Sequence, residues 1–238
     1  MINTPRSTYL RAVKDALGFP SIMLLASMTG FGSLANQSGF TLGMALSTTA
    51  GIWGLPGQVA LVELHAAGVG ALFVILASSL ANARFMPMAV SFIPMMRDGV
   101  KHYGWMFALV QLLSINSWAA GQRSFPDIVP QMRARYYVLF AVICMTAGLI
   151  GTAIGYYGIG AMPRPAALGL IFLNPLFFAV LISGTKLRPA MIAIVVGVPL
   201  GPIFHTLSPD WGLLATGAVG GTLAYWLHRK TTGDTKNG

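Results

Sequence analysis

Arg84 is the hardest residue in this chain to place. It falls near the middle of an apolar segment running from about residue 70 to 96, two positions after Asn82. A charge at the centre of a membrane helix costs on the order of 3 kcal/mol on insertion scales, so a guanidinium there needs protein groups to compensate it. The preceding apolar segment offers some. Gly51-Ile52-Trp53-Gly54-Leu55-Pro56-Gly57 puts three glycines and a proline within seven residues, and helix is expected to unwind there. Non-helical backbone at membrane depth is tolerated only inside protein or against a cavity. If the two segments pair antiparallel and turn near Val69, Arg84 comes level with Gly54 and Asn82 with Pro56.

Such a meeting has a chemical use. The amides that start the second half-helix at Gln58 form an anion site, and the freed carbonyls before them form a cation site. A zwitterionic amino acid carries both charges. Gly54, Pro56, Gly57, Gln58, Asn82 and Arg84 are therefore the expected substrate-binding set. Arg84 either grips a carboxylate through two parallel hydrogen bonds or braces the freed carbonyls. Glu63 is the one acid expected inside a helical span, which makes it the candidate for proton coupling, with an interfacial position as the alternative. Asn174-Pro175 is expected as a second interruption, freeing a carbonyl near Ile171, and as the counterpart of the first. His65, His102 and His205 are expected to be interfacial or satisfied within the bundle.

No catalytic machinery accompanies these residues. Glu63-Leu64-His65 is not a His-Glu-x-x-His pair, the acids are too few and scattered for a dyad, and no Gly-x-Ser-x-Gly elbow occurs. Cys144 stands alone in an apolar run, which leaves neither a disulfide framework nor a thiolate metal site. No enzyme activity, cofactor or metal is expected.

The elements that must position the site follow from composition. Of 238 residues only 9% are charged while 55% are hydrophobic, and mean hydropathy is +0.69. Soluble proteins carry roughly a quarter charged residues, so a water-facing shell cannot be built from this chain. The class is all-α, a polytopic transmembrane helix bundle. A net charge of +9 would suit nucleic acid only if the cations clustered; here they sit singly or in small groups between apolar runs, as the positive-inside bias places them.

Charges recur at about the spacing of a bilayer crossing, roughly 20 residues. The uncharged stretch from Ala16 to Val62 is too long for one span, and Asn36-Gln37-Ser38-Gly39 supplies a turn within it. About eight helices result, near 18 to 35, 41 to 67, 70 to 96, 103 to 120, 136 to 158, 166 to 184, 189 to 205 and 211 to 228, the second of them broken. Residues 1–15 and 229–238 are left as tails flanking a transmembrane domain over 16–228. With the N-terminus inside, Arg6, Arg11, Lys14, Arg123, Arg133, Arg135, Lys186, Arg188, Arg229, Lys230 and Lys236 fall on one side, against only Arg97, Lys101 and Arg164 on the other. Both termini are then cytoplasmic. The opening cations and Ser33-Leu34-Ala35 have the layout of a signal peptide, but Pro20, Ser27 and Gly30 interrupt the apolar run, which favours a retained span. Gly39/Gly43, Gly151/Gly155 and Gly217/Gly221 have the spacing that allows close helix approach in lipid.

Gly57-Gln58, Leu61, Ala66-Ala67-Gly68 and Asn82-Ala83-Arg84, with the order of the hydrophobic segments, resemble the AzlC/YgaZ family. Leu168-Gly169-Leu170 and Asn174-Pro175-Leu176-Phe177-Phe178 are similar to its second hydrophobic block. Two positions depart from the family pattern: Phe85 stands where His is common, and Gly121-Gln122-Arg123-Ser124 where an acidic pair is common. The resemblance implies the large subunit of a bacterial inner-membrane exporter of branched-chain amino acids, working with a small AzlD-type membrane subunit. Its expected partners are the lipid bilayer, that small subunit and a small amino acid, with no nucleic acid; a homo-oligomer is compatible with it. A structural or assembly subunit without its own substrate site is the competing class.

Overall fold

The structure, a computed structural model, describes residues 4–100, 102, 104–158, 163–183, 188–207, 216 and 219–226. The chain divides into two compact units, 1–176 and 177–238. Every regular element among the described residues is helical. The first unit holds α1 (Pro5–Leu17), α2 (Phe19–Gln37), α3 (Leu42–Ile52), α4 (Leu55–Ala66), α5 (Ala71–Ala81), α6 (Phe85–Phe92) continued by a 3-10 helix (Ile93–Gly99), α7 (Gly104–Gln111), α8 (Ile115–Ser124) and α9 (Pro130–Gly158), followed by the start of α10 (Arg164–Ser183).

α9 is the axis of this unit. Among the described residues it alone is long and apolar enough to cross a bilayer unaided; α1 with α2, bent by 43°, and α5 with α6 and its 3-10 extension, bent by 47°, qualify as bent pairs. α2 runs parallel to α9: Ser21 Oγ lies 3.9 Å from Cys144 Sγ near one end, and Asn36 Nδ2 donates to the Tyr156 carbonyl near the other. Between these points the helices touch backbone to backbone, with Gly151 against Leu25 and Gly155 against Thr29. Of the three small-residue pairs read from sequence, this one makes a contact. Gly39 and Gly43 meet no neighbouring helix, and Gly217 lies outside the described residues.

Depth along α9 can be followed through the remaining elements. Tyr156 donates to the Phe40 carbonyl just before α3, Thr49 Oγ1 meets Thr152 Oγ1 at 3.0 Å, and the Trp53 ring lies against Gly148, so α3 descends toward the middle of α9. Then α4 climbs back, because His65 in its last turn sets its ring edge-on to Phe40. The segment 42–66 is thus a helical hairpin, and the expected single span at 41–67 is corrected. α3 and α4 have 11 and 12 residues, about 17 Å each at 1.5 Å per residue, roughly half a hydrocarbon core.

α5, α6 and the 3-10 helix run back along the unit to the end where α9 begins. Ser78 donates to the Gly57 carbonyl, the Phe92 ring stacks on Phe125, and Gly99 packs against Gln131 and Ala134 at the start of α9. A second hairpin then enters from this opposite end. Tyr137 donates to the Leu109 carbonyl in α7, while α8 comes back with Gly121 under the Phe92 ring and Ser124 bonded to Asp15. The expected span at 103–120 is therefore corrected to a hairpin broken at 112–114.

Arg97 changes sides as a result. It lies at the same end as Arg133, whose guanidinium donates to the Met95 carbonyl, and not opposite it as expected; Lys101 is outside the described residues. Arg11, Arg97, Arg123, Arg133 and Arg135 now share the end where α9 begins, and Arg164 stands at the other. Residues 5–15, expected as a tail, form most of α1, whose Thr8, Ala12 and Ala16 are fully buried.

Helices six and seven fall near their expected positions, as α10 and α11 (Arg188–Leu207). α10 continues through 174–175, so the interruption expected at Asn174-Pro175 is absent from the backbone. In the second unit α11 likewise contains Pro199 and Pro202 without ending. Of the expected eighth helix, 219–226 is helical, and the tail 229–238 lies outside the described residues.

Candidate functional site

The backbone opens at Trp53 and Gly54, between α3 and α4. Trp53 takes the left-handed conformation with φ 47°, and Gly54 is extended with φ −141°. A bulky residue at positive φ costs on the order of 1–2 kcal/mol, so packing must hold it; here the indole is buried against Gly148. The break is shorter than the seven residues expected. Gly51 stays in α3, and Pro56 occupies the first turn of α4, where its missing N–H and fixed φ suit a helix start. Gly54 gives α4 no side-chain cap, so the first amides of α4 lack a side-chain acceptor from that position.

Asn82 fills the notch. It ends α5, and its amide lies over both Gly54 and Gly57: a Cβ on either would overlap it, coming within 2.8 Å of Asn82 Cγ from Gly54 and 2.7 Å from Gly57. Two glycines spaced three apart are what let the side chain reach the helix start. Gly57→Ala is accordingly expected to destabilise the fold by about 1–2 kcal/mol despite better helix propensity, because overpacking costs roughly 1–3 kcal/mol and displaces Asn82. Gly51→Ala, whose Cβ meets nothing within 4 Å, should melt no lower than the parent. Detergent melts separate the two.

Gln58 is fully buried beneath this notch. Its Nε2 donates to Thr49 Oγ1 at 3.1 Å, and Thr49 in turn meets Thr152, linking α4, α3 and α9. Five buried side-chain atoms among the described residues have no hydrogen-bond partner: Trp53 Nε1, Gln58 Oε1 and Asn82 Oδ1 around this break, and Asn116 Oδ1 and Trp118 Nε1 in α8. Buried polar groups are normally paired, which makes these atoms the candidates for bonding to a polar ligand or to water.

Arg84 lies on the turn between α5 and α6, exposed, with its guanidinium 5.5 Å from the centroid of the Phe85 ring. It does not brace the α3 carbonyls. That role belongs to Gln111, whose Nε2 donates to Ala50 O at 3.1 Å and Gly51 O at 2.7 Å. Phe85 itself abuts Gly54, so Arg84 is one residue removed from the notch. Glu63, further along α4, pairs with Arg164 at 2.5 Å; both are part-exposed, at 35% and 60%.

A family model described as AzlC protein matches residues 21–162, more than half of the chain. The chain belongs to the AzlC family. No curated protein and no solved structure matches it. AzlC is a transporter-type family, and membership together with the apolar helices makes this a membrane protein with a transport-related role. The matched stretch takes in α3 to α9 whole, and so both hairpins and the candidate site.

Several residues of the candidate site were not reached from sequence. Thr49, Ser78 and Thr152 are ordinary helix residues whose hydroxyls matter only once α3, α5 and α9 are brought together. Gln111 and Ser114-Ile115-Asn116-Ser117 left a visible trace, a polar cluster within an apolar run. Ser114 and Ser117 form a reciprocal cap at the start of α8, a pattern that marks a helix beginning there.

Proposed function

We propose that this chain is the large subunit of a secondary transporter that exports branched-chain or other small apolar amino acids, acting with a small AzlD-type membrane subunit in a bacterial inner membrane. The observation that carries the proposal is the uncapped start of α4, with Asn82 seated on Gly54 and Gly57 and unpartnered buried polar atoms around it. Broken helices present such ends to substrates in transporters. An amino acid supplies a carboxylate for the amide end and for Arg84, and an ammonium for the Gln58 and Asn82 oxygens. Positive-inside bias places the Arg133 end, with the N-terminus, in the cytoplasm.

Energy comes from the proton gradient in this reading, through Glu63. Protonating that carboxylate removes its ion pair with Arg164 and frees the base of α4 to move. Glu63→Gln mimics the protonated form, so export by this variant should lose its dependence on an imposed pH gradient while counter-flow persists. Retained dependence would move the coupling elsewhere.

The direct test is counter-flow of labelled valine or leucine in vesicles holding the chain with and without the small subunit. Uptake driven by unlabelled substrate on the far side supports the reading. A bundle that only scaffolds a partner gives none.

A further inference from the structure

We propose that residues 5–66 and 71–124 are two copies of one device in opposite orientation, and that their hairpins are the two gates of the translocation path, latched to each other at mid-depth by Gln111. The inference rests on the transport reading above. Each copy begins with a bent crossing, α1 with α2 at 43° and α5 with α6 at 47°, and each follows it with two short helices that turn back. The first hairpin returns to the face where α2 ended, since His65 packs on Phe40. The second returns to the face where α6 and its 3-10 extension ended, since Ser124 and Gly99 both lie by the first turns of α9.

Chemistry repeats with topology. Each hairpin's second helix carries an amide oxygen without a partner, Gln58 Oε1 in α4 and Asn116 Oδ1 in α8. An indole N–H without a partner accompanies each, from Trp53 beside α4 and from Trp118 in α8. A substrate with a donor and an acceptor end meets the same pair of groups from either gate. One side chain, Gln111 at the end of α7, reaches from the second hairpin to the last carbonyls of α3 in the first. Its two bonds hold both tips inward, and moving either hairpin outward breaks them. Alternating access then needs two gates that open in turn, which opposed re-entrant hairpins of inverted repeats supply.

Cysteine labelling tests this without a substrate. In a Cys144→Ser background, Ser38→Cys and Val69→Cys flank the first hairpin, and His102→Cys and Gln122→Cys flank the second. Membrane-impermeant maleimide should label the first pair from one face and the second pair from the other. Labelling of positions 38 and 69 from opposite faces makes 42–66 a crossing and overturns the proposal. For the latch, Ile52→Cys at the tip should label about tenfold faster from the Ser38 face in Gln111→Ala, since losing two bonds shifts the closed–open balance. Gln111→Asn, which keeps the amide but shortens its reach, should act likewise, and Val69→Cys labelling reports insertion of each variant. An unchanged rate at position 52 in both variants removes the latch. Failure of valine or leucine counter-flow with the labelling pattern intact counts against the substrate and leaves the gates standing.

Discussion

If the chain exports valine and leucine as proposed, Arg84→Ala brings that export to background while the protein remains inserted and as stable as its parent. The structure makes this an unusually clean substitution. The guanidinium has no ion pair among the described residues and lies over the Phe85 ring, at 5.5 Å to the centroid; a cation–π contact at an exposed site is worth about 0.5–1 kcal/mol. Little folded-state bonding is removed, so a large loss of export reports what Arg84 does to substrate. A bidentate hold on a carboxylate contributes on the order of 3 kcal/mol, or about a hundredfold in rate if it is lost in the transition state. Arg84→Lys keeps the charge without the planar fork and should fall between the two. Counter-flow at saturating and limiting substrate, normalised to inserted protein, gives the ratio. Parental rates in Arg84→Ala would leave the notch at Asn82 as the whole site.

How much of this was legible in sequence depends on the range of the interaction. The all-α membrane class follows from composition alone, and the start of α4 follows from local backbone chemistry: Gly54 can be extended and Pro56 accepts a first turn. Placing Asn82 level with Pro56 needed only an antiparallel turn near Val69, and the structure seats it between Gly54 and Gly57. The same counting put Arg84 at Gly54, where Phe85 lies, because the turn over 82–84 rotates the chain by more than a straight helix would.

Hairpins were not legible for a physical reason. An apolar segment of suitable length reads the same whether it crosses the membrane or turns back halfway, since both forms bury apolar side chains and satisfy their backbone within helices. Only partners distant in sequence decide it. His65 on Phe40 and Ser124 with Asp15 close the two hairpins. The misplacement of Arg97 follows directly, because each hairpin read as a crossing flips the side of what comes after it. Two such errors cancel, which is why Arg123, Arg133 and Arg135 were grouped correctly with Arg11.

Gly155→Ala is expected to destabilise the whole unit, by about 3 kcal/mol and on the order of 10 °C in a detergent melt. α2 and α9 meet through backbone at this point. A Cβ on Gly155 would come within 2.7 Å of the Thr29 carbonyl carbon and 2.9 Å of its Cα, and no side-chain rotation relieves a clash with main chain. The helices must separate, and Gly32 against Thr152 and Gly151 against Leu25 lose their contacts with them. Intrinsic propensity pulls the other way, favouring Ala over Gly in a helix by about 1 kcal/mol. Gly158→Ala supplies the control three residues on, at the last residue of α9, where a Cβ meets only Ile154 Cγ2 at 3.9 Å and stability should stay within about 0.5 kcal/mol of the parent. A melt in which Gly155→Ala is as stable as Gly158→Ala would mean that α2 and α9 are not in backbone contact.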